Sequence, residues 1–249
     1  MKNLTTKLSF AAVLTLAMAT LYAPLASAQE AKPDNETSFN AALTTDYRYR
    51  GLSQTRLKPA LQGGADFVNN PSGFYAGTWL STIKWTRDLG GDGRIEWDVY
   101  AGKRGEIAPG VSYDVGGLGY IYPSNGLNPS ANTFELYGQL GYGPAYLKYS
   151  HSTTNLFGTA NSKNSGYLDL GANVEVASGL VLNLHVGHQR VNHNSAFSYT
   201  DYKIGLTKDL GVASVSLALV GTDTDAYFSP VNSKNLGKTG AVLSVSKTF

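Results

Sequence analysis

The spacing between the apolar-alternating segments of this chain alternates between short and long, and that parity limits the fold more than any other feature. Period-two alternation recurs from residue 38 to the C-terminus, with little 3.6-residue periodicity. Leu168, Leu170, Ala172, Val174 and Val176 share one strand face, against Asp169, Gly171, Asn173 and Glu175 on the other. Leu182, Leu184 and Val186 oppose Asn183, His185 and Gly187 in the same way. The pattern predicts twelve strands, at about 38–49, 59–68, 73–85, 94–105, 111–122, 133–141, 145–151, 166–176, 180–191, 200–207, 212–221 and 239–249. Short Gly-, Pro-, Asn- and Asp-bearing connections fall at 69–73, 106–110, 142–144, 177–179 and 208–211. Longer ones surround 50–58, 86–93, 123–132, 152–165, 192–199 and 222–238. Strands running up and down then put every tight turn at one end and every long loop at the other. A sandwich has no reason to sort its connections so; an outer-membrane barrel does. The fold class predicted is all-β, an antiparallel up-and-down transmembrane β-barrel of about 12 strands occupying 38–249.

The N-terminus agrees with export. Lys2 and Lys7 precede an apolar run from Leu8 to Leu21, and Ala26-Ser27-Ala28 fits a small-x-small cleavage site. Residues 1–28 are read as a secretory signal for the Sec pathway, and 29–37 as a periplasmic tail. The expected location is the outer membrane of a Gram-negative bacterium. Those two lysines account for the whole net charge of +2, so the rest of the chain is neutral. That balance gives no support for nucleic-acid binding. With no Cys there is no disulfide framework and no thiolate-ligated metal.

In such a barrel the apolar faces meet lipid and the polar faces meet an enclosed aqueous lumen. The pore-lining residues expected on this basis are Asp46, Arg48, Arg50, Lys84, Glu96, Asp98, Arg104, Glu135, Lys148, Asp169, Glu175, Asp201 and Lys203, with Asp66 on the same side. Arg48 and Arg50 are expected near the outer end of the first strand. Inward-facing charges tune ion selectivity or brace the lumen by pairing. Twelve strands fall between small filled barrels and wide porins, which favours a narrow pore. Aromatics belong at the two interfaces, and Tyr75, Trp79, Trp85, Trp97, Tyr142, Tyr149, Tyr202 and Phe249 are the candidates. Inward curling of 152–165 or 222–238 is an open option.

Catalysis finds little support. Nucleophilic chemistry needs Ser with a base and an orienting group, and His151, His185, His188 and His193 are the histidines available. They read as interfacial or loop residues. His151 and Ser152 are strand neighbours and point to opposite faces. No GxSxG, HExxH, Walker A or GxGxxG pattern occurs. The chain is therefore expected not to be an enzyme and to carry no cofactor. Asp88, Asp92, Asp223 and Asp225 in long loops are oxygen ligands of the type Ca²⁺ takes, but their spacing is not that of an EF-hand. The function expected is a narrow channel for passive diffusion of ions or small hydrophilic solutes. The alternatives are a non-conducting structural or surface-binding barrel, for which Tyr227 and Phe228 supply loop contacts, and an outer-membrane lipid hydrolase.

The chain ends in Phe249, with Val245, Leu243 and Ala241 on the same face. A terminal aromatic after alternating apolar residues resembles the signature read by the barrel assembly machinery, although Lys247 departs from it. That machinery, membrane lipids and small solutes are the expected partners. The stretches DYRYRGLSQT (46–55), PALQGG (59–64), GFYAGTW (73–79), EWDVYAGKRGE (96–106), YDVGGLGYIYP (113–123), ELYG (135–138), DYKIGLTKDLG (201–211) and SVSKTF (244–249) resemble the TorF family of proteobacterial outer-membrane porins. The resemblance covers nearly the whole chain after the signal. It implies an outer-membrane barrel with a pore role, and no substrate, catalytic residue or cofactor.

Overall fold

The computed structural model of the protein describes residues 33–249. The expected signal peptide lies outside the described residues, as does the start of the expected tail. Twelve long strands form the wall. They are β1 (Asn35–Thr44), β4 (Ala60–Asn69), β5 (Phe74–Thr82), β6 (Ile95–Ala108), β7 (Val111–Ile121), β8 (Thr133–Tyr142), β9 (Ala145–Ser152), β10 (Gly166–Ala177), β11 (Leu180–Arg190), β12 (Tyr199–Asp209), β13 (Ser214–Thr222) and β14 (Gly240–Thr248). A two-residue hairpin, β2 (Arg48–Tyr49) with β3 (Leu52–Ser53), and one helical turn, α1 (Trp85–Asp88), sit in long loops.

Each wall strand pairs antiparallel with its sequence neighbour, and β14 returns to β1 to close the barrel. The closing register runs from Asn40 opposite Thr248 to Thr44 opposite Ser244. Closure removes free strand edges, the condition for a sheet in hydrocarbon, where no water pairs with a backbone N–H or C=O. The short turns stand where the sequence places them. Gly110 and Gly179 occupy the left-handed region at φ +76 and +62, which two-residue turns of this kind demand.

Alternation sets the exterior. Leu43, Leu61, Leu136, Leu147, Leu170, Ile204, Leu217 and Leu243 all point out and are exposed, Leu170 at 52%. A soluble barrel would invert this arrangement; an apolar belt of this kind suits acyl chains. Trp97, Tyr142, Tyr149, Tyr202 and Phe249 also face outward, as expected of interfacial aromatics.

Other aromatics do not. Tyr75 and Trp79 share the inner face of β5 with Ser81, which is paired with Gln62 of β4, and Trp85 stands on α1 in a long loop. Trp79 is buried against Tyr47 at 5.4 Å between ring centroids. With Ile83, Leu118, Tyr120, Tyr122 and Ala131 they form a hydrophobic core inside the barrel. The expectation that Tyr75, Trp79 and Trp85 sit at the lipid interfaces therefore does not hold: Tyr75 and Trp79 face the lumen, and Trp85 stands in a loop.

Candidate functional site

The core exists because the first long loop folds into the lumen. The first strand, expected to reach residue 49, ends at Thr44. Asp46 then redirects the chain: its carboxylate accepts from Arg48 Nε, Ser53 Oγ and Thr55 Oγ1. Thr55 also accepts from the Tyr47 amide at 3.2 Å. Arg50, Gly51, Arg56 and Leu57 all have positive φ, which breaks any strand there. Gly51 is required at its position. Its φ is +77, and a β-carbon on it would stand 2.6 Å from Asp201 Cβ and Thr222 Cγ2. Asp46, Arg48 and Arg50 thus reach the lumen from a loop rather than from the first strand. The inward segment that carries these three side chains is 45–59, and 152–165 and 222–238 meet it through Phe157 and Leu236.

Arg50 fastens that loop to both sides of the wall. Its guanidinium donates to Glu135 of β8 at 2.7 and 3.1 Å and to Gln189 of β11 at 2.6 Å. The same group lies 4.2 Å from the Tyr167 ring centroid and 4.9 Å from that of Tyr49. A bidentate, desolvated and stacked pair of this kind is both strong and orientation-specific. Tyr49 is hydrogen-bonded to Tyr120, and Tyr47 donates to Glu96 at 3.0 Å. Burial pushes the Tyr47 phenol well above its ordinary range, and the charges of Glu96 and Asp98 add to this, so it stays a neutral donor. The other long loops close over the top. Phe157 packs edge-on against Tyr49, Tyr120 and Tyr122, and the Leu236 carbonyl accepts from Arg48 and from the Ser53 amide.

Beside the loop lies a cavity of about 180 Å³. Asp46, Arg48, Arg50, Lys148, Asp169, Asp201 and Lys203 line it, as does His185, which faces the lumen rather than an interface or a loop. Nδ1 of His185 is 2.8 Å from Asp169 and Nε2 is 2.7 Å from Asp201. Carboxylate oxygens accept only, so the imidazolium is the form that satisfies both. Tyr167 donates to Asp201 at 2.8 Å and fixes its other oxygen. The sequence signal for His185 is its parity with Asn183 and Gly187; the shared face with Asp169 and Asp201 across β10, β11 and β12 emerges only from register.

The remaining expected lumen residues lie away from the cavity. Glu96 and Asp98 face inward but are sealed beneath the loop, 1% and 0% exposed. Glu135 is taken by Arg50. Arg104 lies over the Tyr75 ring at 5.2 Å. Glu175 caps the β10–β11 turn by accepting from the Gly179 amide at 3.1 Å. Lys84 precedes α1, beyond the end of β5, and Asp66 accepts from Tyr100 at 2.6 Å. In the outer loops Asp88 pairs with Arg56, and Asp223 accepts from the Thr200 amide. Among the described residues no three His, Cys, Asp or Glu side chains gather to hold a metal.

Residues 28–249 match the Gcw_chp family, described as bacterial proteins of unknown function. The chain belongs to the Gcw_chp family. No curated protein matches this Gcw_chp chain. Among solved structures it is similar to the KdgM porin, with TM-score 0.55 at 6% identity over 85% of this chain and 98% of that one. It is also similar to the NanC porin, with TM-score 0.53 at 8% identity over 86% and 98%. A weaker likeness, with TM-score 0.38 at 11% identity over 85% and 99%, is to LpxR from Salmonella typhimurium. At these identities the two porins share the twelve-stranded closed fold with this Gcw_chp barrel.

Proposed function

We propose that this Gcw_chp protein is an outer-membrane porin of the kind its TorF resemblance implies. It forms a narrow, water-filled channel for passive diffusion of ions or small hydrophilic solutes, with the long loops outside the cell. One observation carries this reading: a closed wall, apolar outside, surrounds an internal cavity lined by charged side chains. Among them Lys203 makes no salt bridge among the described residues, and Lys148 lies over the Tyr137 ring at 4.3 Å. Charges that only braced the lumen would pair with one another, as Arg48 does with Asp46 and Arg50 with Glu135; Lys203 makes no such pair among the described residues. Arg48, Arg50, Lys148, Asp169, Asp201 and Lys203 are the residues that passing solutes meet.

The inward loop supports a second reading, a barrel that does not conduct, because Arg50 holds segment 45–59 against both walls. Planar-bilayer recording in KCl separates the two. Discrete open-channel steps from the refolded protein are expected; a heat-modifiable, correctly folded barrel that never conducts would establish the non-conducting reading instead.

A further inference from the structure

The cavity wall carries an apolar strip where alternation calls for polar side chains. Ala218, Val220 and Val242 face inward and form a small cluster of their own, separate from the aromatic core. Wetting such a strip costs about 25 cal/mol per Å², and hydroxyl-bearing Ser216 and Ser244 flank it on the same cavity face.

Directly beside the strip is the surplus charge of the cavity. Register puts Lys203 opposite Val220 on one side and opposite His185 on the other. The charges around it are accounted for: Arg48 pairs with Asp46, Arg50 with Glu135, and His185 with Asp169 and Asp201. Lys148, next to Asp169 in register, offsets the acid in excess there. That leaves the Lys203 ammonium without a counter-charge, adjacent to Val220 and one strand pair from Ala218 and Val242.

We infer that Lys203 and the Ala218–Val220–Val242 strip form a subsite for a small carboxylate with an apolar body. The carboxylate meets the ammonium and the body covers the strip. This rests on the channel reading for its biological use, though the binding itself does not. A cavity of about 180 Å³ is below the roughly 300–1,000 Å³ of pockets for drug-sized ligands, which limits the occupant to the size of a single ring.

The test is calorimetric titration of the detergent-purified protein with benzoate, benzylamine and lactate. Benzoate should bind at least about tenfold tighter than lactate, which lacks the apolar body, and than benzylamine, which reverses the charge. Lys203→Met should cost benzoate about tenfold or more, and Lys203→Arg should restore it. Val242→Asn should weaken benzoate and leave lactate unchanged. Equal binding of benzoate and benzylamine by the native protein, or benzoate affinity unaltered in a heat-modifiable Lys203→Met, would overturn the subsite. Conductance in KCl is scored separately. A conducting barrel indifferent to benzoate removes the subsite alone; a benzoate-binding barrel that never conducts keeps the subsite and removes the channel.

Discussion

The two sides of the lumen are built from different side chains. Along β5–β8 the inner face carries Tyr75, Trp79, Tyr100, Tyr120 and Tyr137, and the loop lays Tyr47 and Tyr49 against them. Along β12, β13, β14 and β1 it carries Gly205, Ala218, Ser216, Ser244 and Thr44. The first side is solid and the second holds the cavity. Strand number alone therefore does not fix the bore of a barrel this size. Side-chain volume on each arc does, and here it displaces the open space to one side of the axis.

Cutting the fastening between the arcs should have the largest effect. Arg50→Ala leaves Glu135 buried without its cation, a change of about 3–5 kcal/mol. Equilibrium unfolding from lipid vesicles should report that loss, and single-channel conductance should rise as segment 45–59 loosens. Unchanged stability together with unchanged conductance would mean the aromatic core alone holds the loop. The next effect concerns inside against outside. Leu170→Arg, on the outer face of β10, should cost about 2–4 kcal/mol at mid-membrane depth, whereas Ser216→Arg, on the open arc, should fold and reduce conductance. Equal folding costs at the two sites would contradict the facing of the sheet.

The wall is legible in the sequence because alternation and turn chemistry are local. Leu168 and Asp169 announce their faces without knowledge of any partner strand. Segment 46–50 misleads for the same reason: Asp-Tyr-Arg-Tyr-Arg alternates aromatic and charged residues like a strand, yet Asp46 hydrogen-bonds forward to Ser53 and Thr55 and bends it into a loop. Inward parity is right for Glu96 and Asp98, but whether they meet water depends on a loop that lands on them from elsewhere in the chain. His185 becomes part of a charged cluster only once register joins it to carboxylates sixteen residues away on either side.

The smallest effect distinguishes the arcs without altering any charge. Gly102 on the solid arc is covered by the Tyr75 ring, and a β-carbon there would fall 2.6 Å from both Tyr75 Cζ and the Val115 carbonyl oxygen. The backbone oxygen cannot swing away, so Gly102→Ala should cost about 1–3 kcal/mol as overpacking. At Gly240, on the open arc, a β-carbon would stand 3.2 Å from the guanidinium of Arg48, which Asp46 and the Leu236 carbonyl hold but which need give by only a few tenths of an ångström, and 3.9 Å from the Lys238 carbonyl oxygen. Gly240→Ala should therefore cost no more than about 1 kcal/mol. Urea unfolding of the two variants side by side reads the difference. Equal costs would mean that the open arc is packed as tightly as the aromatic one, and that the cavity collapses in the folded protein.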